Sequence, residues 1–347
     1  MAVSGTVPTE LGDKKIRDLL MQYAVPAIIA MTASSLYNMV DSIFIGHIKD
    51  VGSYAISGLA VTFPLMNIST ALGTLVGVGA STILSMLLGQ RNYQAANKVI
   101  INEVMLNVII GTLYTVITLV FLDPILMFFG ASANTLPYAR DYMVIILIGN
   151  VITHLYFGLN NIIRASGNPK LAMALTIFTV VSNTILDPIF IFWLDMGIKG
   201  AALATVICQL LALVYTVRYF LSGKNYLRLP RRMSEYRLDW RIAKDSLTIG
   251  MGPFLMNSAA CIVTMFINQQ LSKYGGDLAI GAYGIVNRFT FLFIMVNMGL
   301  NQGMQPIISY NYGAGNKERV LGTFKRMVTI CLTVTLVMSG IAILHPQ

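Results

Sequence analysis

Nine stretches of this chain are each apolar enough, over enough residues, to lie inside a lipid bilayer. A hydrocarbon core about 30 Å thick takes about 20 apolar residues of helix. The stretches near 19–47, 54–88, 99–122, 137–163, 171–194, 199–221, 247–272, 278–310 and 320–344 meet that length. Without water, each must satisfy its backbone hydrogen bonds internally, so the sequence predicts an all-α polytopic membrane protein. The second and eighth stretches exceed one crossing, which implies tilt, bending or extension beyond the lipid. Only 11% of the 347 residues are charged, against about 25% in soluble domains.

The formal charge of +9 is explained by topology. Nineteen Lys and Arg fall in loops on the side of the N-terminus. Four, Lys49, Arg140, Lys199 and Lys273, fall in the alternate loops, and Arg288 lies inside a span. Basic loops stay in the cytoplasm, so the N-terminus is expected there. No basic, aromatic-interleaved face is left for nucleic acid, and the expected partner is the bilayer. Cys208, Cys261 and Cys331 sit in apolar runs without metal or disulfide spacing and read as core residues. The polar stretch before Leu11 lacks the pattern of a cleavable signal peptide.

The chain carries an internal repeat. Pro26 and Asp41 precede Pro253 and Asn268 by 227 residues; Gly79, Gly89 and Asn92 precede Gly303, Gly313 and Asn316 by 224; Asp123-Pro124 precedes His345-Pro346 by 222. A repeat of roughly 225 residues with six helices ends on the side where it began, so its copies share one orientation about an axis along the membrane normal. This gives an N-terminal lobe of six transmembrane helices over 1–221 and a cytoplasmic linker over 222–246. The first three helices of a C-terminal lobe follow over 247–347. The linker has seven basic residues and reads as a lipid-facing strip, partly an amphipathic surface helix. The expected whole is two six-helix lobes in pseudo-twofold repeat, roughly 450 residues long, of which about nine of twelve helices are here.

Asp41 and Asp187 are the two acids that fall clearly within the predicted spans. Burying an ionised side chain at a helix centre costs roughly 2.5–3.5 kcal/mol, so each is a candidate for reversible protonation or cation binding. The alternative is a purely structural, hydrogen-bonding acid. Asn183 and Asp187 share a helix face, with Ser182 beside it, and Pro188 frees the carbonyl of Thr184. Carboxylate, carboxamide, hydroxyl and carbonyl make a hard oxygen set for a small cation, and equally a proton relay. Pro26 and Pro64 are bending points or static kinks. Polar residues along the other spans, including His154, Asn160, Asn161, Thr205, Gln209, Gln302 and Gln305, line a hydrated cavity or bond across helices. His154 reads as a helix-bonding histidine. Aromatics such as Tyr37, Phe63, Tyr156, Phe157 and Phe291 could stack on flat cations or simply face core or lipid. No phosphate-binding G-x-x-x-x-G-K-[ST] motif, Ser/His/Asp set or His/Cys cluster is present, so neither an enzyme nor a cofactor is expected.

Three segments carry a resemblance. PAIIAMTASSLYNMVDSIFIG from Pro26 to Gly46, NNIIRASGNP from Asn160 to Pro169 and NQGMQPIISYNYGAG from Asn301 to Gly315 resemble the multidrug and toxic compound extrusion (MATE) transporters, closest to a bacterial multidrug-efflux branch. The resemblance covers essentially the whole chain. It implies a twelve-helix, two-lobed exporter in the bacterial cytoplasmic (inner) membrane, acting as a monomer on organic cations or drugs by alternating access. Transport would be antiport against a coupling ion, H+ or Na+. The family's N-lobe ion site maps onto Asp41, Asn183, Asp187 and Thr205, with Asn160 or Asn161 as a further candidate. Na+ would sit at Asp41, Asn183 and Asp187. Asn268 stands where some relatives have an acid on the seventh helix, which moves the expected site to the N-lobe. The rival reading is a lipid-linked saccharide flippase of the wider superfamily, which calls for several intramembrane Arg or Lys for a pyrophosphate. A third is an inactive truncated membrane protein.

Overall fold

A computed structural model of the chain describes residues 9–48, 52–222, 226–230, 232–274 and 276–344. It is built of helices: a short α1 (Glu10–Asp13), then α2 (Ile16–Gly46), α3 (Gly52–Gly89), α4 (Tyr93–Val120), α5 (Leu122–Phe128), α6 (Leu136–Ile148), α7 (Asn150–Ala165), α8 (Pro169–Pro188), α9 (Ile198–Leu221), α10 (Trp240–Tyr274), α11 (Gly276–Gly313) and α12 (Lys317–Leu344). Among the described residues seven helices are long and apolar enough to cross a bilayer, or eight if the bent pair α6 and α7 forms one span. The segment expected at 278–310 lies within α11. The side chains of Arg288, Asn268 and Gln269 lie outside the described residues.

Two local features depart from straight spans. The stretch expected at 137–163 is α6 and α7, bent by 54° at Gly149. A side chain there would collide with Val206 of α9, so the missing Cβ lets α9 press into the bend. The first residue past it, Asn150, donates to the Gly111 carbonyl at 3.3 Å. At the second feature, Pro188 cannot donate its missing N–H, and α8 gives way to a π-helical turn over Ile189–Trp193. Asp187 therefore sits at the last regular turn of α8.

The linker is more firmly seated than a lipid-facing strip. Tyr226, Leu227 and Leu229 are buried in the larger apolar core with α2, α3, α4 and α7. Asn97 holds this segment from both sides, donating to the Tyr226 carbonyl at 3.2 Å and accepting from the Arg228 amide at 2.8 Å. The Tyr226 hydroxyl donates to the Ser166 carbonyl at 2.8 Å, and burial pushes its pKa well above the ordinary value of 10. Apolar residues interleaved with the arginines thus outweigh the basic pattern. The helix expected from 247 begins earlier, at Trp240.

Helices α10 and α11 pack on α3 and α2 at one end of the bundle, where α1 also lies. Glycines make the approach close: Gly79 faces the Ser246 carbonyl, Gly250 that of Leu75, Gly89 that of Tyr310 and Gly313 that of Met86. Small residues allow this because helix association in lipid gains from close packing rather than from expelling water. Polar bonds cross the same seam. Gln305 donates to the Val78 carbonyl and to Ser81 Oγ, both at 3.1 Å. Arg319 and Asn311 grip the Leu11 carbonyl at 3.2 and 2.9 Å. Away from the seam, large apolar side chains are exposed, as lipid contact requires; Trp193 and Trp240, both at helix ends, are 88% and 76% exposed.

Candidate functional site

Asp41 lies on the last turns of α2, Asn183 and Asp187 on α8, and Thr205 two turns into α9. All but Thr205 are essentially buried: Asp41 is 5% exposed, Asn183 2% and Asp187 0%. The i,i+4 spacing brings Asn183 Nδ2 to Asp187 Oδ1 at 3.1 Å, and the same amide reaches Thr205 Oγ1 at 3.3 Å. Thr205 spends its own proton on the Ala201 carbonyl at 3.1 Å, so the Tyr37 hydroxyl, 2.9 Å away, donates to it. Asp41 and Asp187 are within electrostatic reach of each other, and Tyr37 and Tyr142 are within reach of both.

The satisfied bonds leave a distinct remainder. Asp41 Oδ1, Asn183 Oδ1 and Asp187 Oδ2 are buried without a hydrogen-bond partner among the described residues. Buried polar atoms are normally paired. Three unpaired oxygens on two facing helices, two of them from carboxylates, form an electronegative niche that a proton or a small hard cation would complete. No Lys, Arg or His is hydrogen-bonded to this cluster among the described residues, so its charge is not already met from within.

The structure brings four of the six expected residues together and places the other two elsewhere. Asn160 donates to the Ala172 carbonyl at 3.0 Å, and the side-chain oxygens of Asn160 and Asn161 both accept from Arg164 at 3.4 Å. Arg164, counted above among loop charges, is only 7% exposed. It occupies the last turn of α7 and also donates to Gln302 of α11. Tyr37, read above as a stacking, core or lipid-facing aromatic, instead joins the cluster through its hydroxyl. Glu103 of α4 was also missed and is fully buried. A visible signal was Glu103-x-x-x-Asn107, the i,i+4 acid–amide spacing of Asn183 and Asp187.

The MatE family model matches residues 26–189 and 252–347. The chain belongs to the MatE family. Among curated relatives of this family member, the multidrug export protein MepA of Staphylococcus haemolyticus is 32% identical over 332 residues, covering 94% of this chain and 72% of the relative. MepA of Staphylococcus aureus strain MSSA476 is 31% identical, covering 89% and 67%. The fold of this MatE protein is shared with a MATE crystal structure in complex with MaD3S, at a TM-score of 0.90 and 23% identity over 98% of this chain and 76% of the other. It is equally shared with a multidrug resistance MATE family transporter in an outward-facing conformation, at a TM-score of 0.90 and 23% identity over 97% and 74%.

Proposed function

We propose that this chain is a multidrug exporter that moves organic, often cationic, drugs out of a bacterial cell in exchange for a cation. The observation that carries the reading is the buried niche of Asp41, Asn183 and Asp187, closed on one side by Thr205 and Tyr37. A niche that needs a cation to become electrically satisfied, reached from one side of a membrane and emptied toward the other, is the minimum equipment for antiport. The export of drugs is carried over from the MepA relatives.

The seam supports alternating access between an N-terminal lobe over 1–221 and the helices after the linker. It closes the end that carries α1, which is the cytoplasmic end on the positive-inside reading. Asp41 lies near the opposite end of α2. On this reading the niche, buried in this conformation, exchanges its ion with the outside while the seam is closed. Uptake of H+ or Na+ there removes the repulsion between Asp41 and Asp187, and α2, a continuous helix that carries Pro26 in its interior, is the element proposed to respond.

The test is purified protein in liposomes, with a sodium gradient and a pH gradient imposed separately and ethidium as cargo. One gradient should drive export, and Asp187→Asn should abolish that coupling while leaving the protein inserted. Export driven by neither gradient, or unchanged in Asp187→Asn, would falsify the proposal.

A further inference from the structure

We infer that Glu103 is a second, exchangeable proton-binding site, set in a polar column between α3, α4 and α7 and separate from the Asp41–Asp187 niche. Glu103 is 0% exposed and lies ten residues, about 15 Å, into α4. Asn107, one turn on, donates to Glu103 Oε1 at 2.5 Å. Glu103 Oε2 and Asn107 Oδ1 are then left buried with no partner among the described residues.

The surroundings are built for this group. Gly158 of α7 faces it, and any side chain there would collide with both Glu103 and Asn107. One turn along, His154 is 1% exposed, with Nε2 3.0 Å from Ser69 Oγ and Nδ1 unpartnered. Ser69 also donates to Asn150 Oδ1 at 2.6 Å. Gly73 and Gly111 border the His154 ring, and Gly77 borders Asn161. The column thus runs from Asn161 past Glu103 and Asn107 to His154, Ser69 and Asn150. Three of its buried atoms lack partners among the described residues, and glycines let the helices close tightly around them.

Among the described residues, no fixed charge offsets the carboxylate. From α7 the titratable groups are His154, Tyr156 and Arg164, and Arg164 is committed to Asn160, Asn161 and Gln302. From α10 the packed side chains are Ala243 and Leu247; Asp239, just before it, pairs with Lys98 at the helix end. From α3 the facing residues are Ser69, Gly73 and Gly77. Helices α5 and α6 meet α4 at its far end, through Asp123, which pairs with Arg140, and Tyr142. An acid enclosed in this way is neutral at rest. Only two oxygens are free here, both within one helical turn of α4, and a proton on Glu103 Oε2 suffices to neutralise the group. The site stands whether Asp41 and Asp187 take H+ or Na+.

The chain has four glutamates, and Glu10, Glu235 and Glu318 are exposed. Carbon-13 labelling of glutamate therefore isolates Glu103 in the unmutated protein. Difference infrared spectra of the labelled chain in lipid vesicles, recorded from about pH 6.5, where exposed glutamates are already ionised, to alkaline pH, should show a protonated carboxyl band that shifts with the label. The band should fade at high pH, persist in saturating Na+ and survive in Asp41→Asn/Asp187→Asn. Glu103→Gln should abolish it and Glu103→Asp restore it. A label-sensitive band that is absent, fixed across the pH range or suppressed by Na+ overturns the inference.

Discussion

Adding one methyl group at Gly250 tests whether the glycine seam is a moving contact. Its Cβ would fall on the Leu75 carbonyl oxygen, well inside the roughly 3.5 Å of an ordinary contact, so α10 must retreat from α3 by about 1 Å or more. Overpacking of this kind costs about 1–3 kcal/mol. If the seam opens during the cycle, the cost falls only on the conformer described here. The equilibrium then moves toward the opened form by about 5- to 150-fold.

The assay places spin labels at Gln90 and Lys317, both exposed at this end of the bundle, after replacement of the three cysteines. Gly250→Ala should raise the share of long distances. Gly252→Ala, two residues away on the same helix with nothing within 4 Å of its added Cβ, should not. Identical distributions for the two variants refute a moving seam. So does a lower melting temperature in Gly250→Ala with distances unchanged, since the strain would then fall on a permanent contact.

Three further outcomes follow from the geometry. Thr205→Val keeps the shape but strands the Tyr37 hydroxyl and one Asn183 proton; the loss of about 1–3 kcal/mol should lower the melting temperature and weaken the ion dependence of efflux. Arg164→Leu removes the donor shared by Asn160, Asn161 and Gln302, and thermal unfolding should show a loss of about 1–3 kcal/mol, with Arg164→Lys recovering part of it. Gly197 precedes α9 at φ 55° and ψ −135°, so Gly197→Ala should cost about 1–3 kcal/mol and melt lower, although nothing lies within 4 Å of the added Cβ.

Seven or eight of the nine expected spans stand among the described residues, legible because the bilayer sets a length that the apolar runs must meet. Asn183 and Asp187 were legible because helical spacing places them on one face. What escaped notice had physical causes. Glu103 and Arg164 lie near the ends of their apolar runs, where sequence alone does not separate a buried charge from one in solvent. Burial there depends on neighbours distant in the chain: Gly158 for Glu103, and Gln302 for Arg164. The bend at Gly149 was hidden because an apolar run stays apolar through a bend. Tyr37 entered the cluster through Thr205, 168 residues away, a pairing that no periodicity encodes.

The repeat offset reappears in one hydrogen bond. Residues at equivalent positions of two copies can meet only where the axis relating the copies passes between them. Ser81 and Gln305 are 224 residues apart and bonded, the same offset that relates Gly79 to Gly303. Beside them, Gly89 on Tyr310 and Gly313 on Met86 form a reciprocal pair at that offset. On the two-lobe reading, the axis therefore runs through the seam. Identical side chains would fit poorly there, because two serines leave a gap and two glutamines compete for one space. A short hydroxyl facing a long amide fills that space once and pairs donor with acceptor. The polar contact at the axis must therefore break the symmetry that the glycines around it preserve.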